Sequence, residues 1–388
     1  MNNEYACAVC SAHRLSVVDG FSSLPRVTSD SRYRPSGGIL CVCEGCGTVQ
    51  KLPTDTWHNE SAEIYSSYDL WPLAKGKEQP IFTSKGEQKP RSNLLIEFLL
   101  DHLDGKNQGE LLDVGCGTGA ALVNFSRMLP SWNLYAYDIS DRFLPKLKPI
   151  PTFKELFVGQ LENIQHRFDM ITMIHSLEHI PQPFDSLCWI RKLLKENGTL
   201  MISVPNGEVT PFDYLVIDHR THFSPKQLAL LAQRAGFKIH CLRDDLLPKE
   251  IDMLAKPADD SFVSLPEFCD VEESIARVNK GVEWLATLLW EARESANQAH
   301  SLGKKFGIFG TAISGMWLFG ALEGRVDFFV DEDLSRQGVF FEGHPIVAPE
   351  NVPSGATVFL ALLPDISVSI KNRLTTCPGS WILPPPRC

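Results

Sequence analysis

The stretch LLDVGCGTG, residues 111–119, decides the fold. Its opening residues make a short, nearly uninterrupted apolar run, the pattern of a strand buried on both faces. Gly115, Gly117 and Gly119 follow at alternate positions, so the chain can turn sharply and its backbone can approach a ligand more closely than any side chain would allow. Nineteen residues after Gly119 comes Asp138, in YAYDIS. A carboxylate there is placed to accept both hydroxyls of a ribose, so glycine turn and acid together point to an adenosine-bearing ligand. A dinucleotide uses a related turn and is the rival reading.

Outward from this turn the pattern alternates. RSNLLIEFLLDHL (91–103) carries a helical apolar face, whereas WNLYAYDIS (132–140), RFDMITMI (167–174) and GTLMISVP (198–205) are short strands, with PFDSLCWIRKLLKE (183–196) as a helix between them. Strands alternating with helices predict a parallel sheet covered on both faces. Ser224 reads as a helix N-cap, Pro225 as the first helical residue and Gly236 as the stop after KQLALLAQRA. Beyond a polar, proline-containing insertion over about 244–270, Ile275, Val278, Val282, Leu285 and Leu289 recur at helical spacing, to about residue 300. A second strand–helix alternation, from KKFGIFG (304–310) to ATVFLALL (356–363), reads as a separate Rossmann-like half. Its glycines, Gly307, Gly310 and Gly315, do not form GxGxxG, which argues for a unit that packs on the core and helps shape a pocket there over one that binds a cofactor.

The 388 residues imply two to four domains, and 44% hydrophobic with 22% charged residues is the balance of a globular protein with a sizeable core. A formal net charge of -10 disfavours a sequence-independent grip on nucleic acid, so a small-molecule substrate is expected and a nucleic-acid polymer is not. No run approaches about 18 consecutive apolar residues. Membrane insertion is therefore not expected, and the start MNNEYACAVC lacks the regions of a signal peptide, which predicts a cytoplasmic protein.

The eleven cysteines are odd in number, and four form two CxxC pairs, Cys7 with Cys10 and Cys43 with Cys46. Each knuckle brings two thiolates to one ion, and two knuckles complete the closed tetrahedral sulfur site of structural zinc. Cys41 and His13 stand as substitutes for one ligand, and a redox dithiol is the competing reading. Residues 1–60 thus read as a metal-stapled module without a long helical period or a catalytic role. Residues 61–90, aromatic but broken at Trp71-Pro72 and Gly76, read as a connecting segment.

FDMITMIHSLEHIPQP (168–183) followed by LCWIRKLLKENGTLMISVPN (187–206), together with LLDVGCGTG and YAYDIS, resembles the motif series of class I S-adenosylmethionine-dependent methyltransferases over about 91–243. The resemblance implies S-adenosyl-L-methionine as methyl donor, with Asp113, Gly115, Gly117 and Gly119 around its methionine part, Asp138 on the ribose, and Gln160 or Leu161 by the adenine. It also implies that the strand ending near Ile174, with His175 next to it, lies beside the donor and that Leu177-Glu178-His179 caps the site. The order of zinc module, methyltransferase core and Rossmann-like half is similar to that of sugar C-methyltransferases acting on nucleotide-linked keto-deoxysugars, and of relatives in polysaccharide and secondary-metabolite biosynthesis. The expected fold class is α/β: a Rossmann-like class I methyltransferase core at 91–245, a small N-terminal zinc-binding module at 1–60, an insertion and long helix at 246–300, and a second C-terminal Rossmann-like α/β domain at 301–388. The implied cofactors are S-adenosyl-L-methionine and a structural Zn2+, and the implied substrate is a nucleotide sugar.

IDHRTHFSP, residues 217–225, then leaves the carboxyl end of a strand, where folds of this kind place ligands. In the sugar C-methyltransferases an acid–histidine pair occupies this loop. Asp218-His219 matches it, with Asp in place of the more usual Glu and Val216 about where the family carries a tyrosine. Methylating a carbon beside a ketone requires a base for the α-proton and a partner for the enolate, whereas a hydroxyl requires a base alone. Imidazole titrates near neutrality, so His219 is the expected base or enolate partner, with Asp218 orienting it or acting as the base itself. A metal held by Asp218, His219 and His222 is the weaker idea, because three ligands this close in sequence do not make a site alone. His179 is a further catalytic candidate, His222 reads as packing, and Tyr65 and Tyr68 are placed to cover the acceptor. C-methylation of a nucleotide-linked sugar is the leading function, O-methylation of a glycan or secondary-metabolite hydroxyl the second, and a non-catalytic S-adenosylmethionine-binding scaffold the third.

Overall fold

The computed structural model describes residues 5–68, 80–82, 88–102, 107–259 and 270–387. At its centre lie seven strands: β1 (Gly109–Val114), β2 (Trp132–Asp138), β3 (Phe153–Val158), β4 (Phe168–Ile174), β5 (Leu194–Pro205), β6 (Phe237–Arg243) and β7 (Glu250–Pro257). They pair in the order β3-β2-β1-β4-β5-β7-β6. The first five run parallel, and β7 is antiparallel to both of its neighbours. Helices on both faces bury Leu111, Leu112, Met170, Ile171, Leu200, Met201 and Ile202, which is why these strands read as unbroken apolar runs and not as alternating ones. The chain reverses direction across the sheet between β1 and β4, so a crevice opens beyond their carboxyl ends. The glycine turn after β1 and His175 after β4 emerge side by side at this crevice.

β7 corrects the expectation of an insertion over about 244–270. Its three charged residues and proline hid a strand whose Ile251, Met253, Leu254 and Ala255 are fully buried between β5 and β6. Helix Pro225–Arg234 begins with a complete capping box between Ser224 and Gln227, with Pro225 in the first turn. Gly236 follows it at φ +83°, as a helix stop requires.

Before this core stands an antiparallel sheet of Leu15–Val17, Leu40–Cys43 and Val49–Lys51, and its fourth strand is Thr221–His222 from the core itself. The N-terminal segment therefore completes its sheet only with a strand from far along the chain. Helix Asp55–Ser66 follows at once, capped by the Thr54 hydroxyl on the Trp57 N–H, and runs across the junction expected at residue 60. Its buried face, Trp57, Ser61 and Ile64, has helical spacing but contains a serine, which the cysteine-rich context masked. Trp71 lies outside the described residues.

The long helix is Val271–Ser301, capped by the Asp270 carboxylate on the Glu273 N–H. Its Val278, Val282, Leu285, Leu289, Ala292 and Ala296 form one core with Phe21 and Leu40 of the N-terminal segment and with Phe306, Trp317 and Phe359 beyond it. Phe306 and Phe359 belong to a second parallel sheet, Phe306–Phe309, Phe328–Val330, His344–Val347, Thr357–Leu360 and Ser380–Ile382, edged by the antiparallel Phe340–Phe341, and Trp317 to the helix Ile313–Ala321 that packs on it. Among the described residues, no helix is long and apolar enough to cross a membrane.

The C-terminal unit packs directly on the N-terminal hairpin. Trp317 Nε1 donates to the Pro25 carbonyl at 2.9 Å, and Gly320 lies against the Tyr33 ring so closely that a Cβ would sit 2.1 Å from Tyr33 Cγ. Gly320→Ala is therefore expected to overpack this seam and to destabilise the protein by about 1–3 kcal/mol, read as a lower urea midpoint at unchanged slope.

Candidate active site

A cavity of about 420 Å³ occupies the crevice. One wall is Asp113 to Thr118 after β1, and Tyr137 to Ser140 with Arg142 and Phe143 after β2. Gly115, Gly117 and Gly119 all have positive φ, at +79°, +49° and +80°. A Cβ on Gly115 would lie 2.5 Å from Cβ of Ser176, and one on Gly119 would lie 2.4 Å from Leu147 Cδ2. The turn thus needs glycine at both positions, but Gly119 packs on Leu147 and is not among the residues that line the cavity. Asp138 Oδ2 accepts the Gly117 N–H at 3.0 Å, which ties the acid to the turn. Asp113 is buried, accepts the Thr172 hydroxyl at 2.7 Å, and burial pushes its carboxyl up to about 6. Gln160 is exposed, and Leu161 is buried in the short turn Leu161–Asn163. Neither lines the cavity, a departure from the expected adenine contact. After β2 that wall is Ile139, Ser140, Arg142 and Phe143.

His175 sits at φ +50°, a left-handed conformation rare outside glycine, at the end of β4. Its Nε2 is 3.1 Å from Glu250 Oε2, and Arg91 Nε is 2.9 Å from the other Glu250 oxygen. Burial alone would lower the imidazole, but the Glu250 carboxylate outweighs it and holds His175 at about 9. Arg91 and His175 both line the cavity, so one carboxylate is shared by two cations beside it.

Across the cavity, helix Asp55–Ser66 contributes Trp57, His58, Ser61 and Tyr65, with Tyr68 just beyond. They face His179, Ile180 and Pro181. His179 Nδ1 lies 3.2 Å from Asp218 Oδ2 and 3.1 Å from the Tyr65 hydroxyl. Asp218 is fully buried: its two oxygens accept the Ser29 N–H at 2.9 Å and the Ser29 hydroxyl at 2.5 Å. Burial lowers the His179 imidazole, the Asp218 carboxylate raises it, and the net shift is upward.

The expected Asp218–His219 pair is therefore re-partnered. Adjacent residues in an extended loop point apart, and here Asp218 holds His179 while His219 Nδ1 bonds Asp213 Oδ1 at 2.6 Å. Asp213 Oδ2 takes His222 Nδ1 at 2.5 Å, and burial lowers the His222 imidazole to about 4. Neither Asp218 nor His219 lines the cavity, whereas His179 does, with the His219 ring perpendicular behind it at 4.6 Å. Glu178 is 1% exposed and neither of its oxygens has a hydrogen bond, with His175 Nδ1 at 3.3 Å and His179 Nε2 at 3.9 Å as ionic neighbours. Asp213 and Ser29 escaped sequence reading. Asp213, in PFDYL six residues before His219, carried only a weak signal, and Ser29, 189 residues from Asp218, carried none.

The four expected cysteines converge at the other end of the N-terminal sheet. Cys7 and Cys46 Sγ are 3.6 Å apart and Cys10 and Cys43 Sγ 3.5 Å, far beyond a disulfide bond, and all four sulfurs lie within 4.8 Å of one another. Amides of Val9 and Cys10 point at Cys7 Sγ, and that of Gly45 at Cys43 Sγ. Cys41 and His13 are not in the cluster.

A family profile described as a methyltransferase domain matches residues 87–242. The ubiquinone biosynthesis O-methyltransferase of Pseudoalteromonas translucida is 25% identical over 204 residues, covering 47% of this chain and 83% of the relative. Its mitochondrial counterpart from Saccharomyces cerevisiae is 29% identical over 122 residues, covering 29% of this chain and 39% of the relative. A solved S-adenosylmethionine-dependent methyltransferase from Clostridium acetobutylicum is 15% identical, with 52% of this chain and 99% of that one covered at a TM-score of 0.36. The profile match spans the glycine turn, the strand that carries Asp138, the strand that His175 follows, and the loop of Asp218 and His219. Residues 87–242 form a methyltransferase domain with the Rossmann-like class I fold, and the protein is an S-adenosylmethionine-dependent methyltransferase enzyme.

Proposed function

We propose that the protein C-methylates a nucleotide-linked keto-deoxysugar, with His179 taking the acceptor's proton, Asp218 orienting His179, and His219 behind them as the second imidazole of the site. The observation that carries this reading is His179, backed by the Asp218 carboxylate, on the wall of the same cavity that holds Asp138 and the glycine turn. Asp113, Gly115, Gly117 and Asp138 would hold the donor, with the shared cationic pair of Arg91 and His175 at its carboxylate end. When bound, S-adenosylmethionine supplies a methyl group on a positively charged sulfur. The chain's own contribution is to remove the proton that must leave as the methyl arrives. Asp218 accepts the Nδ1 hydrogen, so in the neutral ring Nε2 carries the lone pair. Trp57, Tyr65 and Tyr68 offer aromatic faces suited to a sugar ring.

O-methylation is the second reading, favoured by the names of the curated relatives, which are O-methyltransferases. The two differ in the acceptor's hydrogen. In deuterated buffer, with S-adenosylhomocysteine in place of the donor, C-methylation predicts that solvent deuterium exchanges into the acceptor beside its ketone, detected by mass across a panel of nucleotide sugars whose methylated products are then identified. An O-methyl ether formed without exchange would overturn the first reading.

His179 must be neutral to accept a proton, so activity is lost as pH falls through its pKa. Asp218 raises that pKa, so kcat/KM is expected to be half-maximal above the ordinary value of about 6.5. His179→Gln is expected to lower kcat by about 10²–10⁴-fold with donor affinity unchanged, measured by steady-state kinetics and calorimetry.

The four thiolates fit Zn2+: a tetrahedron with bonds of about 2.3 Å has edges of about 3.8 Å, close to the 3.5 and 3.6 Å seen here. Stripping the metal with a chelator is expected to remove hydrogen-exchange protection from residues 40–51 and 221–222, while β1, β4 and β5 stay protected. Unchanged protection at 40–51 would show that the metal is not structural.

A further inference from the structure

The Asp218 carboxylate is held by a residue that no motif marks. Ser29 sits in the turn between the paired strands Arg26–Val27 and Tyr33–Arg34, and it spends both its backbone N–H and its hydroxyl on Asp218. The turn is stiff. Ser31 N–H bonds the Thr28 carbonyl at 2.8 Å, Thr28 N–H bonds the Arg32 carbonyl at 2.9 Å, and the Thr28 hydroxyl bonds the buried Asp30. The hairpin is anchored from three sides: Arg26 forms a double hydrogen bond to Glu60 of the cleft helix, Ile217 N–H bonds the Val27 carbonyl, and Tyr33 is wedged against Gly320. Ser29 is thus fixed relative to the loop, the cleft helix and the C-terminal unit together.

We propose that Ser29 is a positioning residue for the transfer reaction: its two hydrogen bonds lock the Asp218 carboxylate so that Oδ2 faces His179 Nδ1, which sets the tautomer and the basicity of the imidazole in the cleft. This rests on the reading that His179 handles the acceptor's proton. The physical link is charge sharing. A carboxylate that receives two donors from Ser29 presents less negative charge to its third partner, so loss of the hydroxyl leaves more charge on His179 and favours the imidazolium. The other groups facing this pair are Glu178, His175 and His219 from the core and Tyr65, Tyr68 and Lys51 from the N-terminal segment. Of these, Tyr68 also hydrogen-bonds the Ser29 hydroxyl, an interaction that Ser29→Thr keeps.

The test uses the full, metal-loaded chain with ¹³C-labelled histidine, following the His179 ring by NMR as pH is varied. Ser29→Ala is expected to move the His179 midpoint upward by about half a pH unit to one, as expected for one lost hydrogen bond to a carboxylate. Ser29→Cys, which keeps the size but donates weakly, is expected to do the same, and Ser29→Thr to restore the original midpoint. Donor affinity stays within twofold throughout. A midpoint that does not move in Ala and Cys, or that Thr does not restore, overturns the proposal. The pH–rate profile of methyl transfer is measured on the same variants. If the NMR midpoint moves but the rate profile does not follow, Ser29 positions His179 as proposed and it is the assignment of His179 as proton acceptor that fails.

Discussion

The pairing of Thr221–His222 with Val49–Gln50 is the constraint on which the rest of the site depends. The segment 213–222 carries Asp213, Asp218, His219, Arg220 and His222 into the interior, each less than a tenth exposed. Buried charges and amides at this density are tolerable only when nearly all are paired, because each orphan costs on the order of 1–3 kcal/mol. The core does not supply enough partners. The N-terminal segment does: Lys51 N–H to the Arg220 carbonyl, Lys51 Nζ to the Val216 carbonyl, Trp57 Nε1 to the Ile217 carbonyl, Ser29 to Asp218, and the Arg220 guanidinium back to the Lys51 carbonyl. The N-terminal sheet is therefore less an appended module than the missing half of the loop that shapes the cleft.

That arrangement also organises charge. His179 and His219 each surrender Nδ1 to a carboxylate, Asp218 and Asp213 respectively, which leaves both free nitrogens on the side of Glu178. Burial draws the Glu178 carboxyl upward and the nearby imidazoles pull it down further, so it stays ionised in a place no isolated carboxylate would. Lys51, fully buried, is drawn down to about 7 by desolvation, so it binds the loop with little charge of its own. Acids and bases here are tuned by one another more than by solvent.

How much of this was legible depends on the range of the interaction. Local signals read well. The apolar run and glycines of 111–119, the capping box at Ser224 and the i, i+3, i+4 stripe of the long helix each state their structure within one or two turns of chain. Four cysteines announced a cluster because two short spacings repeat. Strand β7 was hidden because Glu250 looks solvent-facing until Arg91 and His175, more than a hundred and about seventy-five residues away, are seen to meet it. Asp218 and His219 were paired by adjacency, yet strand-like backbone sends neighbouring side chains to opposite sides. The partner of each was chosen by the fold, through residues such as Asp213 and Ser29 whose types and spacing carry no motif.

The shared sheet also bears on how the chain is made. Residues 29 and 218 are 189 apart, so on a ribosome the N-terminal segment emerges on the order of ten seconds or more before the strand that completes it. During that interval Val49–Lys51 is an open edge, and the Lys51 ammonium, buried in the finished protein, lacks the Val216 carbonyl that receives it. A bound metal would keep the two knuckles together while the edge waits. In this view the cysteine cluster acts in time as well as in space, holding a nascent surface away from other edges until the methyltransferase core arrives to cover it.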